Sequence, residues 1–380
     1  MEHKDFIVGV LGGGQLGRML LEPANRWGLQ TKILDPDPDC PCRHITHDFH
    51  QGDFRDYQTV VDFGKKCDVV TIEIEQVNIQ ALYTLQKSHN IQVYPHPQTL
   101  EIIQDKNRQK EFFNRRQFPT CEYSYYPGRP DITKIQQPLT YPLFWKRTTM
   151  GYDGYGVKKI TNPDDFTDLP DVPCILEKVV PIKRELSVIV CCSASGESRT
   201  YPPVEMVFDP DTNQVEYVTT LLHERDNPVL KKAVQVATGV STLIGHVGLL
   251  AVELFQTTGD TILVNELAPR PHNSGHLTQT QPTSQFEQHL RAILDYPLGD
   301  PSFTQTAVML NINGRLYDKI ISDRWKGEIF KTRGLHLQLY GKSAVRPNRK
   351  MGHLTLTDPS PEATVRVLSS ARILKNRILS

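Results

Sequence analysis

Residues 6–11 form a short apolar run that ends in Gly12-Gly13-Gly14-Gln15-Leu16-Gly17, and apolar side chains then recur at Leu16, Met19, Leu20, Ala24 and Trp27. A buried strand that enters a glycine turn and leaves it as a helix opens a parallel crossover, which constrains the fold more than any other feature of the chain. Strand-like segments at 30–34, 68–72 and 91–94 alternate with helical spacing at 57–63 and 77–86. This alternation predicts an α/β fold with a doubly wound parallel sheet over about the first 95 residues.

The glycine turn satisfies G-x-G-x-x-G, and Asp35 lies 18 residues beyond Gly17 at the end of the next strand. Backbone amides at such a turn can approach an anion while the helix dipole attracts it. Three readings follow: a dinucleotide site with Asp35 on a ribose, a phosphate or ribose contact to another ligand, or a tight strand–helix turn alone.

Beyond residue 99 the pattern changes. Residues 100–116 are helical and charged, 127–138 form a polar connection, and strands at 142–146 and 156–160 flank a second glycine-rich turn. Strands at 174–178 and 185–192 follow, then a hairpin of 249–255 and 261–266, and a helix at 285–294. From about residue 300 short strands at 307–311, 335–340 and 352–356 precede a closing helix.

Composition narrows the function classes. Lysine plus arginine and aspartate plus glutamate each total 43, so the chain lacks the cation surplus that nucleic-acid binding demands. No stretch near 18 uninterrupted apolar residues suggests a membrane span, and no apolar signal core stands at the start. Seven cysteines without a repeating spacing fit a reducing compartment, with the cytoplasm as the expected location.

Several constellations can carry chemistry. Lys146 ends an apolar strand, and Gly151-Tyr152-Asp153-Gly154-Tyr155-Gly156 follows five residues later. A lysine beside a flexible glycine loop can neutralise phosphates while the loop closes over them. Glu253 and Glu266 stand 13 residues apart on the two arms of the hairpin, with Asn265 beside the latter. Two carboxylates at neighbouring positions on a buried sheet repel unless a cation sits between them, and magnesium suits oxygen ligands completed by nucleotide phosphates.

Arg270-Pro271-His272-Asn273-Ser274-Gly275-His276 offers a guanidinium and further donors to a small planar oxyanion. Residues 331–380 carry ten lysines and arginines against two acids, concentrated in Lys342-Ser343-Ala344-Val345-Arg346-Pro347-Asn348-Arg349-Lys350, which suits a phosphorylated small ligand. His44, His47 and His50 sit in a loop-like stretch that gives little to align a metal, and Cys40 and Cys42 form a C-x-C without a second pair.

Taken in order, these motifs resemble the ATP-grasp superfamily, and within it the 5-(carboxyamino)imidazole ribonucleotide synthases. Further carriers are Arg18-Met19-Leu20, Gln51-Gly52-Asp53-Phe54, Leu267-Ala268-Pro269 and Met351-Gly352-His353. The resemblance implies an ATP-grasp fold with an N-terminal α/β domain at 1–98, an ATP-grasp domain at 99–298 with its glycine-loop part near 119–182, and a small β-rich domain at 299–380.

It also implies ATP and magnesium, bicarbonate and 5-aminoimidazole ribonucleotide as small-molecule partners, and a homodimer. Lys106, Lys146 and the loop Gly151, Tyr152, Asp153, Gly154, Tyr155, Gly156 and Val157 would take the triphosphate. Glu177, Lys178, Val179 and Val180 would line the adenine pocket, with Glu185 on the ribose. Glu253 and Glu266 with Asn265 would hold the metal, while Arg270, His272 and Asn273 would orient bicarbonate. Lys342 and Arg349 would take the ribonucleotide phosphate, and Gln15, Glu73, Tyr152 and Asp153 would contact the rest of it.

The chain departs from the family pattern at Phe208, where a histidine is usual, at Ile72 and Ile74, where phenylalanine is frequent, and over 221–228. A related ATP-grasp enzyme activating formate would share the lysines and the metal acids, but not the run from Arg270 or the C-terminal basic segment. A nicotinamide-dependent oxidoreductase would explain the first glycine turn and leave Lys146 and the paired glutamates idle. A non-catalytic binding protein would leave the cation and phosphate residues without a purpose.

Overall fold

The computed structural model describes residues 6–135, 139–151 and 156–380. The first sheet is wholly parallel: β1 (Ile7–Leu11), β2 (Gln30–Asp35), β3 (Asp48–Gln51), β4 (Val69–Ile72) and β5 (Gln92–Val93) lie in the order β3-β2-β1-β4-β5. Strand order reverses at β1, so the turn after it opens at the switch point where ligands of such sheets gather. His44 and His47 lie in the expected loop, while His50 falls on β3, where Phe49 and His50 pair with Ile33 and Leu34.

The basic stretch expected as one helical block at 100–116 is two helices, Pro97–Ile103 and Lys106–Arg115. Asp105 adopts an extended backbone and its carboxylate accepts the amides of Asn107 and Arg108, so a new helix starts there. Lys106 therefore occupies the first turn of the second helix.

A small antiparallel sheet follows, in the order β6 (Tyr123–Tyr126), β9 (Cys174–Lys178), β7 (Leu143–Arg147) and β8 (Val157–Ile160). Its core is Leu143, Trp145, Ile160, Phe166 and Leu176. The third sheet contains β10 (Ile182–Cys192), β11 (Ser198–Thr200), β12 (Val204–Asp209), β13 (Gln214–Thr220), β14 (Gly248–Thr257) and β15 (Ile262–Ala268). It continues through β16 (Thr306–Asn313), β17 (Leu335–Leu339) and β18 (Lys350–Asp358), in the path β15-β14-β10-β12-β13-β16-β18-β17 with β11 beside β10. The C-terminal strands thus join the sheet that carries the hairpin, through β13 and β16.

One element between 200 and 248 carries clear local signals. The helix Pro228–Ile244 has Asn227 accepting the Val229 amide at its start, proline in its first turn and Gly245 at φ 67° as its stop. It buries Leu230, Ala233, Ala237 and Val240 against Leu186, Val188 and Val252 of the sheet. The parallel sheet is joined to this body by a shared core in which Met19, Leu20 and Val69 meet Phe286, Leu290 and Tyr340. Within that contact His289 accepts the Leu249 amide at Nδ1 (3.2 Å), so its Nε2–H is left to donate to Thr71 Oγ1 (2.8 Å).

Candidate active site

The hairpin β14–β15 supplies the acids. Its strands pair antiparallel with Glu253 opposite Glu266, and a register shift follows immediately between Glu253 and Leu254. Asn265 Nδ2 donates to Glu253 Oε2 at 3.3 Å, and His272 Nε2 stands 3.3 Å from Glu253 Oε1. Burial pushes the Glu253 carboxyl up, but the His272 hydrogen bond and the charges of His272 and Lys106 outweigh it, and Glu253 is held below its ordinary value. The Lys106 ammonium pairs with Glu266 Oε1.

Lys146 enters from β7. Its ammonium pairs with Glu177 Oε2 and lies 3.4 Å from Asn265 Oδ1. Glu177 Oε1 forms an ion pair with Lys110 at 2.6 Å. Burial raises the Glu177 carboxyl, yet Lys146 and Lys110 together bring it down to about 2, and Lys146 is in turn held above its ordinary value by Glu177 against the opposing effect of burial. Lys106, Lys110, Lys146, Glu177, Asn265 and Glu266 line one pocket. Sequence reasoning missed Lys110, whose only signal is a lysine four residues after Lys106, one helical turn along the same face.

The adenine-side expectations spread further. Lys178 is exposed at the end of β9 beside Glu122 (3.4 Å), while Val179 and Val180 are half-buried. Glu185 on β10 sits opposite Met206 and Phe255. Burial raises its carboxyl to about 7, with the Glu253 charge adding and Lys146 opposing. Phe208 on β12 packs against the core of Met206 and Val218. Val157 pairs with Lys146, and Arg147 N donates to Gly156 O, so the end of the glycine loop is fixed beside the lysine. Gly151 is half-buried, and Tyr152, Asp153, Gly154 and Tyr155 lie outside the described residues.

Arg270 and His272 follow the hairpin directly. Arg270 pairs with Glu75 at 2.8 Å, another acid that sequence reasoning passed over. His272 Nδ1 meets Ser274 Oγ at 2.8 Å, and Ser274 Oγ meets Ser187 Oγ at 2.8 Å. Asn273 and Asn311 of β16 exchange amide hydrogen bonds, each 2.9 Å. His276 turns into the interior, stacked on His353 at 4.9 Å, and Tyr340 OH lies 3.0 Å from His353 Nδ1.

At the first glycine turn the acid is supplied by the chain itself. Glu73 Oε2 accepts the amides of Leu16 and Gly17, each at 3.1 Å, and Asp35 accepts those of Gly13 (2.6 Å) and Asp37 (2.8 Å). These amides and Asp35 are engaged within the protein, which removes the basis for a dinucleotide reading. Burial holds the Glu73 carboxyl above its ordinary value, against the Gly17 hydrogen bond and Arg270.

Gln15, in the first turn of the helix Gln15–Arg26, is half-buried next to this acid. The end of β17 and the turn that leads into the basic segment pack on the same helix: Gln338 donates to Glu22 at 2.8 Å, and the Arg18 guanidinium lies so close to Gly341 that a Cβ there would stand 3.2 Å from Nη1. Lys342 Nζ donates to Lys350 O at 2.8 Å over the Tyr340 ring, and Arg349 Nη1 donates to Ala344 O at 2.8 Å.

His50 pairs with Asp48 at 2.9 Å and His47 Nδ1 lies 3.2 Å from Thr31 Oγ1. Among the described residues no group of three or more His, Cys, Asp and Glu is placed to hold a metal, so a cation at the hairpin would draw on two glutamates, Asn265 and its ligand's own oxygens.

Comparisons with known proteins agree with this geometry. Family models match an ATP-grasp domain at residues 111–286, a ribonucleotide synthetase preATP-grasp domain at 6–104 and a phosphoribosylaminoimidazole carboxylase C-terminal domain at 307–366. The chain is 36% identical over 373 residues to the phosphoribosylaminoimidazole carboxylase of Schizosaccharomyces pombe, covering 94% of this chain and 66% of that one. It spans 63% to 66% of the length of the yeast carboxylases it matches.

The N5-carboxyaminoimidazole ribonucleotide synthase of Staphylococcus aureus is 32% identical over 356 residues, 92% of each chain. The carboxyaminoimidazole ribonucleotide synthase of Aspergillus clavatus complexed with ATP superposes with a TM-score of 0.87 at 34% identity over 99% of both chains. The Aspergillus synthase in complex with ADP and 5-aminoimidazole ribonucleotide does so at 0.87 and 31%, over 98% of this chain and 99% of that one. An ATP-grasp fold with paired hairpin glutamates, matched along nearly its whole length, places the chain in the N5-carboxyaminoimidazole ribonucleotide synthase family.

Proposed function

We propose that this protein is an ATP-dependent carbon–nitrogen ligase that carboxylates 5-aminoimidazole ribonucleotide with bicarbonate, giving N5-carboxyaminoimidazole ribonucleotide, ADP and phosphate in purine biosynthesis. The observation that carries the reading is the convergence of Lys106, Lys146, Asn265, Glu253 and Glu266 at the end of one hairpin, next to Arg270 and His272. The reading treats residues 1–98, 99–298 and 299–380 as three domains and the chain as a cytoplasmic homodimer. Among the described residues no helix is long and apolar enough to cross a membrane.

Glu253, Glu266 and Asn265 fit magnesium: they are hard oxygen donors on paired strands, and Glu266 already takes a cation from Lys106. Bound there with nucleotide, magnesium would neutralise charge on the phosphates.

In the scheme, a bicarbonate oxygen attacks the γ-phosphorus, the bond to the β–γ bridging oxygen breaks, and ADP leaves with the electron pair. Lys106 and Lys146 orient the triphosphate, and Glu177, Lys178, Val179, Val180 and Glu185 take the nucleoside end. Arg270 holds the bicarbonate, with His272 kept in place by Glu253 and Ser274.

The exocyclic amine of the ribonucleotide then attacks the carboxyl carbon of carboxyphosphate, phosphate departs, and the amine gives up a proton. Lys342 and Arg349 anchor the 5′-phosphate, while Gln15, Glu73 and the loop residues Tyr152 and Asp153 orient the base and ribose. The segment Gly151, Tyr152, Asp153, Gly154, Tyr155, Gly156 and Val157 would take the triphosphate, and water must be kept from the labile mixed anhydride for its carboxyl group to reach the amine.

The test is ADP release with bicarbonate and magnesium, with and without the ribonucleotide. Release stimulated by 5-aminoimidazole ribonucleotide, with label from bicarbonate entering that compound, is expected. Turnover indifferent to it, or supported only by formate, would reject the assignment.

A further inference from the structure

Lys110 lies one helical turn beyond Lys106, and its side chain is only 3% exposed. Its ammonium forms an ion pair with Glu177 Oε1 at 2.6 Å and donates to Thr120 Oγ1 at 2.7 Å, and the Thr120 hydroxyl donates onward to Val264 O at 2.7 Å. The other oxygen of Glu177 holds Lys146. One carboxylate is therefore shared between two ammonium groups, and the three side chains together keep one positive charge. Without Lys110 the remaining Lys146–Glu177 pair would be neutral. Enclosing an ammonium carries a desolvation cost of several kcal/mol, so a buried lysine whose charge is not needed would be disfavoured relative to an apolar side chain.

The sign of this charge matters because of what surrounds it. Glu266 brings a further carboxylate to the same pocket, paired with Lys106, and Glu253 stands opposite it on the neighbouring strand, held by Asn265 and His272. A nucleotide adds several negative charges at short range, where the interior weakens electrostatic interactions far less than water does. We propose that Lys110 is a positioning residue for the nucleotide: by taking one oxygen of Glu177 it leaves the charge of Lys146 uncancelled and directed at the phosphates. The proposal rests on the nucleotide reading above and deepens it. Lys110 acts through Glu177, and Glu177 acts as an electrostatic divider between two lysines as well as lining the nucleotide site.

The experiment measures binding of ADP with magnesium, and of adenosine, to the full chain by titration calorimetry. Lys110→Met, nearly isosteric and uncharged, is expected to weaken ADP by about tenfold or more while adenosine changes less than about threefold. The double variant Lys110→Met with Glu177→Gln removes both charges and keeps a carbonyl for Lys146; because any loss at the nucleoside end weakens both ligands alike, its ratio of ADP to adenosine affinity is expected to return to within about threefold of the wild type.

A purely structural Lys110 predicts ADP and adenosine weakened in parallel, and a ratio lowered by Lys110→Met that the double variant leaves lowered speaks against Glu177 as the divider. Either result overturns the proposal. Should Lys110→Met not fold, Lys110→Gln takes its place: ADP weakened about tenfold with adenosine nearly unchanged supports the proposal, and parallel weakening of the two refutes it. Wild-type protein that binds no ADP at all would instead sink the nucleotide reading itself.

Discussion

Glu253 and Glu266 face each other across β14 and β15, yet each carboxylate has a different partner, the His272 imidazole for the first and the Lys106 ammonium for the second. The pair is thus kept from mutual repulsion by two separate partners, and a metal ion binding there would have Lys106 to displace. Glu266→Gln is expected to lower turnover at least about a hundredfold, because charge on the transferred phosphoryl group loses a neutralising contact. The thermal midpoint should stay within a few degrees of wild type, since Glu266 is only partly buried. Steady-state kinetics and a melting curve on the same sample check both statements; near-normal turnover would reject the metal assignment.

Glu185 gives a pH signature. Its carboxyl, raised by burial to about 7 from an ordinary 4.5, keeps its proton in the folded chain through that interval while the unfolded chain releases it. The resulting cost is absent below the unfolded value, grows as pH rises, and is complete above about 7. Glu185→Gln should therefore gain more in urea midpoint over wild type at about pH 8 than at about pH 5. Equal gains at both would contradict the buried placement.

Glu177 runs the other way. Held down to about 2 by Lys146 and Lys110 against burial, it contributes stability that is fully present above its ordinary 4.5 and is lost as pH falls through about 2. The Glu177→Gln variant should show a shallower acid-unfolding profile over that window than wild type, followed by circular dichroism.

Lys342 tests the ribonucleotide end. Its ammonium, on Lys350 O above the Tyr340 ring, sits beside the helix that begins at the first glycine turn. Lys342→Ala should raise the KM for 5-aminoimidazole ribonucleotide by about tenfold to a hundredfold, the loss expected for one phosphate contact, and leave the KM for ATP nearly unchanged. A KM for ATP that rises in step would refute the phosphate role.

Gly14→Ala probes the turn. A Cβ there would stand 2.6 Å from Glu73 Oε1, so the carboxylate would have to leave the Leu16 and Gly17 amides. A loss of about 1–3 kcal/mol in unfolding free energy is expected from chemical denaturation, the range for overpacking a tight site.

The parallel sheet and the hairpin were legible because each has a local signature: glycine after an apolar run, and two apolar arms around Thr257-Thr258-Gly259-Asp260. The pairing of Glu253 with Glu266 followed from hairpin geometry alone. The helix Pro228–Ile244 was equally written in Asn227-Pro228 and Gly245 but escaped notice, since apolar residues crowd several of its faces. What could not be read was long-range pairing. Lys110 with Glu177 spans 67 positions, and the Asn273–Asn311 exchange spans 38 between an irregular segment and a strand. No spacing rule links such residues; only the closing of the sheets brings them together. The same holds for Glu73, whose use as a cap for the helix Gln15–Arg26 depends on β4 lying beside β1.

That cap has a consequence for what the glycine turn can admit. A carboxylate tethered on β4 competes with any dissolved phosphate at the effective concentration of an intramolecular group, on the order of millimolar or higher. An incoming dinucleotide would have to evict Glu73 from two amides and Asp35 from a third before gaining a single contact. The first glycine turn thus spends its Gly13, Leu16 and Gly17 amides on acids of the chain itself, so a phosphate would find that corner of the cleft already occupied.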